Sequence, residues 1–352
     1  MTKTPAEQRR NDSADTATMK AVVQHRYGPP EQVLEARDVP VPRPGPGEVL
    51  VRVRVTGVNT PDWLTVAGLP RVLRLQAGLR RPKVPVRGSD VAGVVAEVGP
   101  GVADLRPGDE VFGSLWTKSV SAGTGTFAEF AVVPAGQLVR RPAGLSATEA
   151  GASVMSGLTA LLAMRDVGRV GPGRRVLVNG ASGGVGTFAV QIAARLGAHV
   201  TGVCGPGNVE MVRSLGAADV IDHTVEDYTR GARRYDVVLD NVLNHPPTAT
   251  AAVLAPGGTF IPNSIGRAEG VFGGLTRVAR AKLMERGPTD VRSVECDVTR
   301  ENLDALTALL ASGEVKVIVE RTYPLDDVAG AVAHMMSHRT RGNIAVVVHT
   351  DG

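Results

Sequence analysis

The sequence predicts an α/β protein in two parts, a compact all-β barrel over about residues 19–140 followed by a doubly wound parallel sheet. Three observations predict it. Short Val-rich segments separated by Pro/Gly turns fill the first part. Beyond Ala147 strand-like and helix-like patterns alternate. A glycine cluster lies where an apolar strand runs straight into an amphipathic helix. The length of 352 residues suits two domains of ~100–200 residues each.

The first 18 residues are polar and lack an apolar core of the signal-peptide kind, so they read as a disordered tail. Residues 19–25 form an apolar strand, and 39–47 a Pro/Gly loop. Residues 49–55 alternate Val with Arg, the period of a half-buried strand. Residues 89–98 and 127–134 are two more strands, with turn residues over 99–109. Ser146 and Glu149 have the spacing of a capping box and open a helix to about Val167. Strands then fall at 176–179, 200–204, 220–222, 237–240 and 258–262, with helices at 187–196 and 209–215. These strands are apolar runs without alternation, which argues a sheet buried on both faces. Residues 315–319, 325–337 and 344–348 read strand-helix-strand, and the pattern alone assigns that tail to neither part.

Composition narrows the function. Charged residues are 21% and apolar residues 43%, a globular balance. The 12 aromatics are not interleaved with basic residues, so no nucleic-acid platform is expected despite a net charge of +4. The densest basic cluster, Arg71 to Lys83, reads as a solvated surface. No apolar run approaches ~18 residues, so no membrane span is expected. Only two cysteines occur, Cys204 and Cys296, which excludes a disulfide framework and a four-cysteine zinc lobe and suits a reducing cytoplasm. Glycine is abundant, 42 of 352 residues.

The sharpest motif is Val176-Leu-Val-Asn-Gly-Ala-Ser-Gly-Gly-Val-Gly186. Gly180, Ala181, Ser182, Gly183, Gly184, Val185 and Gly186 make a tight turn whose backbone can approach a diphosphate. A helix starting near Thr187 points its positive end at the same place. This implies a dinucleotide. An NAD site places an acid about 20 residues on; here Cys204 and Gly205 end that strand and no acid follows before Asn208. Losing that charge favours NADP(H), although NAD(H) stays open because the loop carries no Arg or Lys; the nearest is Arg213.

With these motifs in order, the chain resembles the medium-chain dehydrogenase/reductase superfamily, and within it the zinc-independent quinone oxidoreductase-like group. Further carriers are Gly57-Val-Asn-Thr-Pro-Asp-Trp63, Gly88-Ser-Asp-Val-Ala-Gly93, Arg106-Pro-Gly-Asp109, Gly125-Thr-Phe-Ala-Glu-Phe130, Ser156-Gly-Leu-Thr-Ala160, Asp240-Asn-Val242 and Arg341-Gly-Asn343. The resemblance implies a GroES-like catalytic domain (19–143) interrupted by a Rossmann domain (144–299), with 300–352 returning to the first. It implies a cleft between them and commonly a homodimer. Zinc-dependent relatives carry Cys where this chain has Asn59, and His-Glu where it has Ser89-Asp90, so no metal is expected. His334 and His338 share a helical spacing but read as surface or packing residues.

Without a metal, hydrogen-bond donors must polarise the substrate. Asn59 is the leading candidate. Asp62 either orients a proton relay or caps a loop, and Trp63 walls the pocket. The resemblance places Thr159 at the nicotinamide ribose, Asn241 and Val242 at the nicotinamide edge, and Gly205, Asn208 and His223 around the 2′-phosphate. Asn343 stands where the family has Lys. Residues 69–83 read either as a helical lid or as a surface helix. The expected activity is hydride transfer from NADPH to a quinone, an enone or a carbonyl. A non-catalytic, crystallin-like NADPH-binding protein is the alternative. A nucleic-acid binder rests only on a pI of 9.3 and the Arg71 to Lys83 cluster.

Overall fold

The computed structural model describes residues 17–116, 125–266, 274–284 and 289–349. The expected tail lies outside these residues except at its end, where Thr18 already pairs in a strand. Strands β1 (Thr18–Gln24) and β2 (Leu34–Pro40) form an antiparallel ribbon. Then come β3 (Glu48–Val58), helix α1 (Thr60–Ala67), β4 (Asp90–Val98), β5 (Glu110–Ser114), β6 (Phe130–Pro134) and β7 (Leu138–Arg140). The central strand is β3. Its Val49–Val55 half pairs with β4, and its other edge carries β6 at one end and β15 (Asn343–Val347) at the other. The path continues β14 (Val319–Pro324), β15, β3, β4, β5, β7. Isolated bridges from Ala21 to Ala128 and from Val23 to Val86 fasten the ribbon to this sheet.

Helix α2 (Ala147–Leu162) leads into the second sheet, and its Ser146–Glu149 box forms as expected, with Glu149 N donating to Ser146 Oγ at 3.2 Å. Strands β8 (Arg175–Asn179), β9 (His199–Cys204), β10 (Asp219–Asp222), β11 (Tyr235–Asp240), β12 (Leu254–Pro262) and β13 (Asp290–Val291) are parallel, in the order β10-β9-β8-β11-β12-β13. Helices α3 (Gly184–Arg195) and α4 (Val209–Ser214) join the first three. The order reverses between β8 and β11, which opens the crevice where doubly wound sheets bind ligands. The tail is strand-helix-strand, with α5 (Val328–Met336) between β14 and β15, and it joins the first sheet.

One apolar cluster unites the two sheets. It contains Ala92, Phe112 and Val139 from the first, Val176, Phe188 and Val237 around the second, and Val154, Leu158 and Leu161 of α2 between them. Every residue of α2 from Ala150 to Leu162 is buried. Burying each large apolar side chain contributes roughly 1.5–3 kcal/mol, so α2 fixes the two sheets to each other.

Three readings change. Strands β2, β5 and β7 were not expected. β2 is exposed on most residues, so its pattern carries no apolar alternation, and β5 and β7 are short. The expected strand at 315–319 starts at Val319 instead. Val315 and Val317 are buried against the second sheet's core, and Lys316 exchanges bonds with Gln191 (N to Oε1 2.8 Å; Nε2 to Lys316 O 3.0 Å), so this alternation serves a crossing segment. Residues 69–83 form a 3-10 turn (Arg71–Leu73) and a helical turn (Arg74–Ala77), not one helix. Arg74 Nε donates to Gly68 O at 2.8 Å and stacks 4.5 Å from the centre of the Tyr27 ring, whose hydroxyl donates to Gly78 O at 2.7 Å.

Candidate active site

The glycine turn is built from backbone. Gly180 is left-handed (φ 75°) and Ala181 N donates to Val203 O at 2.9 Å, which folds the chain back over β9. Helix α3 starts at Gly184, one turn earlier than expected, with Gly183 as N-cap and no side-chain cap. The amides of Gly184, Val185 and Gly186 therefore open the helix with no intrahelical acceptor, the arrangement that receives an anion. Crowding explains why glycine continues into the helix. A Cβ on Gly186 would lie 2.1 Å from Gly180 O, and one on Gly184 would lie 2.6 Å from Asn343 Oδ1 and 2.7 Å from Ser156 Oγ. Ser182 O accepts from Gly342 N at 2.7 Å, so the tail is laced onto the turn. Asn343 is buried, with Nδ2 donating to Ile318 O at 3.2 Å. These residues fit the diphosphate of a dinucleotide.

On the adenosine side, Cys204 is buried and its thiol is pushed up to about 11, by burial first and by Asp222 second. It is packed rather than reactive. A Cβ on Gly205 would lie 3.6 Å from His223 Nε2, so these two expected residues are neighbours. Asn208 starts α4 without a side-chain capping bond. Arg213 is paired with Glu210 at 3.0 Å.

At the mouth of the β-rich sheet a polar cluster is built from side chains. Asn59 is the N-cap of α1 and is 7% exposed. Its Nδ2 donates to Asp90 Oδ2 at 3.0 Å, and Met155 N donates to the same oxygen at 3.0 Å. Asp62 Oδ2 accepts from Asn59 N at 2.7 Å, so Asp62 takes the capping role. Burial drives Asp62 up to about 7, with the Asp90 charge adding to it, and drives Asp90 up to about 6 against the bonds from Met155, Ser114 and Asn59. Arg87 is buried beside them, donating from Nε to Gln24 Oε1 at 3.1 Å, while Nη2 has no hydrogen-bond partner among the described residues. Trp63 does not line this cluster. It is 5% exposed and packs among Val22, Val66, Phe127 and Ile344, its ring edge-on to His338 at 5.5 Å. His334 instead meets Tyr323 (Nδ1 to hydroxyl 2.8 Å), so the two histidines serve separate contacts.

Helix α2 brings the two halves together. Met155 N holds Asp90, and the next residue, Ser156, stands against Gly184 of the turn. Thr159, one turn on, is buried on the same helix. At the end of β11, Asp240 Oδ1 accepts from Asn179 Nδ2 (2.8 Å), Val242 N (3.0 Å) and Leu243 N (2.7 Å). Burial raises its pKa. This clasp sets Val242 across Gly180, where a Cβ on the glycine would lie 2.9 Å from Val242 Cγ2. Val242 is 40% exposed, and Asn241 keeps a buried Nδ2 without a partner among the described residues while Oδ1 accepts from Asn263 Nδ2 at 2.8 Å.

Sequence reasoning passed over Arg87, Asp90, Ser156 and Asp240 as working parts. Asp90, Ser156 and Asp240 lie inside motifs already singled out (Gly88–Gly93, Ser156–Ala160 and Asp240–Val242) and Arg87 flanks the first, so motif membership was the available signal. Among the described residues, no group of three or more His, Cys, Asp or Glu side chains is placed to hold a metal ion, and no helix is long and apolar enough to cross a membrane.

Known proteins share this construction. Residues 45–143 match the family described as alcohol dehydrogenase GroES-like domain, and residues 215–346 that described as zinc-binding dehydrogenase. A chloroplast envelope quinone oxidoreductase homolog of Arabidopsis thaliana is 32% identical, over 93% of this chain and 98% of its own. A trans-enoyl reductase of Aspergillus terreus is 31% identical over 86% of this chain and 87% of its own. The crystal structure of Escherichia coli quinone oxidoreductase complexed with NADPH superposes with a TM-score of 0.78 at 26% identity, covering 94% of this chain and all of that one. The two-sheet fold, the diphosphate-ready turn and this similarity along nearly the whole chain make it a member of the medium-chain dehydrogenase/reductase superfamily, in the quinone-oxidoreductase-like group, and an NAD(P)H-dependent oxidoreductase.

Proposed function

We propose that the protein is a zinc-independent, NADPH-preferring reductase of quinones, activated alkenes or carbonyls. The observation that carries the reading is the placement of consecutive residues of α2. Met155 holds the Asn59–Asp90 pair and Ser156 abuts the diphosphate turn, so a polarising amide and a dinucleotide site share one rigid support. The residues that would hold the dinucleotide are Gly180–Gly186 (diphosphate), Gly205, Asn208 and His223 (adenosine end), and Thr159, Asn241 and Val242 (nicotinamide end). Bound there, the reduced nicotinamide supplies hydride.

The chain's own part is positioning and electrostatics. Asp90 fixes one amide proton of Asn59, which orients the other towards a substrate oxygen, where it stabilises developing negative charge. Asp62 holds the Asn59 backbone and so fixes the donor. Trp63 supports α1 from the core. Solvent supplies the proton, which suits quinones and enones, whose reduced products are protonated readily. The donor set at the position zinc would occupy is an amide, a hydroxyl and a carboxyl (Asn59, Ser89, Asp90). With Asn59 donating to Asp90, it does not fit a zinc ion. The reading also takes residues 19–143 and 300–352 as the catalytic domain and 144–299 as the dinucleotide domain, in a homodimer.

The test is NADPH oxidation by chelator-dialysed protein with a panel of quinones and enones. Turnover with at least one acceptor is expected. Tight NADPH binding with no turnover of any acceptor would replace this reading with the non-catalytic one. Activity that returns only with added zinc would refute the metal-free site.

A further inference from the structure

We propose that Arg341 is the cation that binds the 2′-phosphate of NADPH and sets the cofactor preference; this rests on the NADPH reading above. The local sequence at the end of β9 offers no cation, since Gly205-Pro-Gly-Asn208 carries none and Arg213 is engaged by Glu210 at 3.0 Å. The fold delivers one from the far end of the chain. Gly342 N donates to Ser182 O at 2.7 Å and Gly342 bridges to Gly183, which pins the backbone beside Arg341 onto the diphosphate turn. From there the side chain crosses to α4, where Nε lies 3.0 Å from Met211 Sδ.

Met211 lies in the first turn of α4, three residues after the N-cap Asn208. The Arg341 side chain therefore reaches from the backbone beside the diphosphate turn to the helix that follows the Gly205–Asn208 loop. Its local carboxylate is already spent elsewhere: Glu320 Oε2 accepts from the Arg341 backbone N at 3.0 Å and lies 3.3 Å from His334 Nε2. Among the described residues the Arg341 guanidinium has no ion-pair partner, and a thioether is a weak acceptor for five strong donors. Asn208, with no side-chain capping bond, and His223, beside Gly205, are the further donors that this assignment would recruit to the same phosphate. A planar guanidinium binding a phosphate dianion in bidentate fashion is among the stronger polar contacts available.

The test is fluorescence titration, without turnover, of the wild type, Arg341→Gln and Arg213→Gln with NADPH, NADH, 2′,5′-ADP and 5′-ADP. Arg341 is exposed, so its replacement should leave the melting temperature unchanged. Arg341→Gln is expected to weaken NADPH and 2′,5′-ADP by roughly tenfold or more while NADH and 5′-ADP move less than about twofold. Arg213→Gln should cost less than about threefold. An Arg341→Gln protein that still prefers NADPH as the wild type does overturns the assignment and leaves the NADPH reading intact. Equal weakening of NADPH and NADH also overturns it, since the guanidinium then serves the diphosphate. A wild type that binds NADH as tightly as NADPH refutes the NADPH reading itself, and the assignment with it.

Discussion

The glycine turn and the Asn59–Asp90 cluster are both polar and both sit at the junction of the two sheets, yet they are made differently. The turn is made of main chain. Its donors are amides that no side chain caps, and its shape depends on the absence of Cβ atoms. The cluster is made of side chains drawn from α1, β4 and the strand approach at Arg87, held by a helix amide from Met155. The turn carries no titratable group, whereas the cluster buries two carboxyls at the cost of raised pKa values. A site of the first kind tolerates pH but not added atoms. One of the second kind tolerates modest volume change but not loss of a partner.

The largest effect expected of a single change is at Gly186. Its replacement by Val places atoms into Gly180 O, at 2.1 Å already for the Cβ. Gly186→Val should weaken NADPH binding at least ~100-fold and lower the melting temperature, because a backbone acceptor cannot move aside as a side chain can. Calorimetric titration reads the affinity and scanning calorimetry the melting temperature, and near-normal affinity would mean that the turn is not the diphosphate site.

Next is Asp90→Ala, which frees the Asn59 amide and leaves Met155 N unpaired. The expected loss is ~100-fold or more in kcat, with NADPH affinity within about threefold, since a misplaced donor is felt in the transition state. Equal losses in both would make the cluster structural only.

A smaller effect concerns pH. Asp62 and Asp90 have folded pKa values above those of the unfolded chain, so the folded state holds more protons between about pH 4 and pH 7. Stability therefore falls as pH rises through that window and levels off above it. The melting temperature should drop by roughly 2–5 °C from pH 5 to pH 8, and Asp62→Asn should flatten part of that slope. A slope of opposite sign in the wild type, unchanged in the variant, would contradict the buried-carboxyl account.

The smallest signal is chemical. Cys204 is held up to about 11 and Cys296 to about 12, chiefly by burial. Neither thiol should be alkylated appreciably at pH 7.5, since only the thiolate reacts. Rapid labelling of Cys204 that NADPH blocks would show an open thiol at the adenosine end.

The same contrast explains what the sequence made legible. A main-chain site needs consecutive glycines, so Gly180–Gly186 was visible as a pattern, and with it the parallel sheet and the crevice. Only the helix start was displaced, because glycine in the first turn of α3 was read as turn rather than helix. A side-chain site gathers residues far apart in sequence. Asn59 was nameable from its motif, but its bond to Asp90, and Asp90's bond to Met155 across 65 positions, were not. Arg341 was visible only as part of a motif, because its position depends on a tail whose sheet the pattern did not assign. An aromatic after a catalytic loop suits a pocket wall and a core equally, and the packing of Trp63 among Val22, Val66 and Phe127 is visible only in the fold. The alternation at 315–319 was likewise a burial pattern without a strand.

On the proposed reading, an amide held by a buried carboxyl does the work that zinc does in other members of the superfamily. Its most direct test is kcat of Asn59→Ala against wild type, both dialysed against chelator, with one quinone or enone acceptor and saturating NADPH. Full wild-type turnover without metal and a loss of roughly 100-fold in the variant are expected, with NADPH affinity unchanged. Wild-type turnover that disappears with the chelator and returns with zinc, or a variant as fast as wild type, would contradict it.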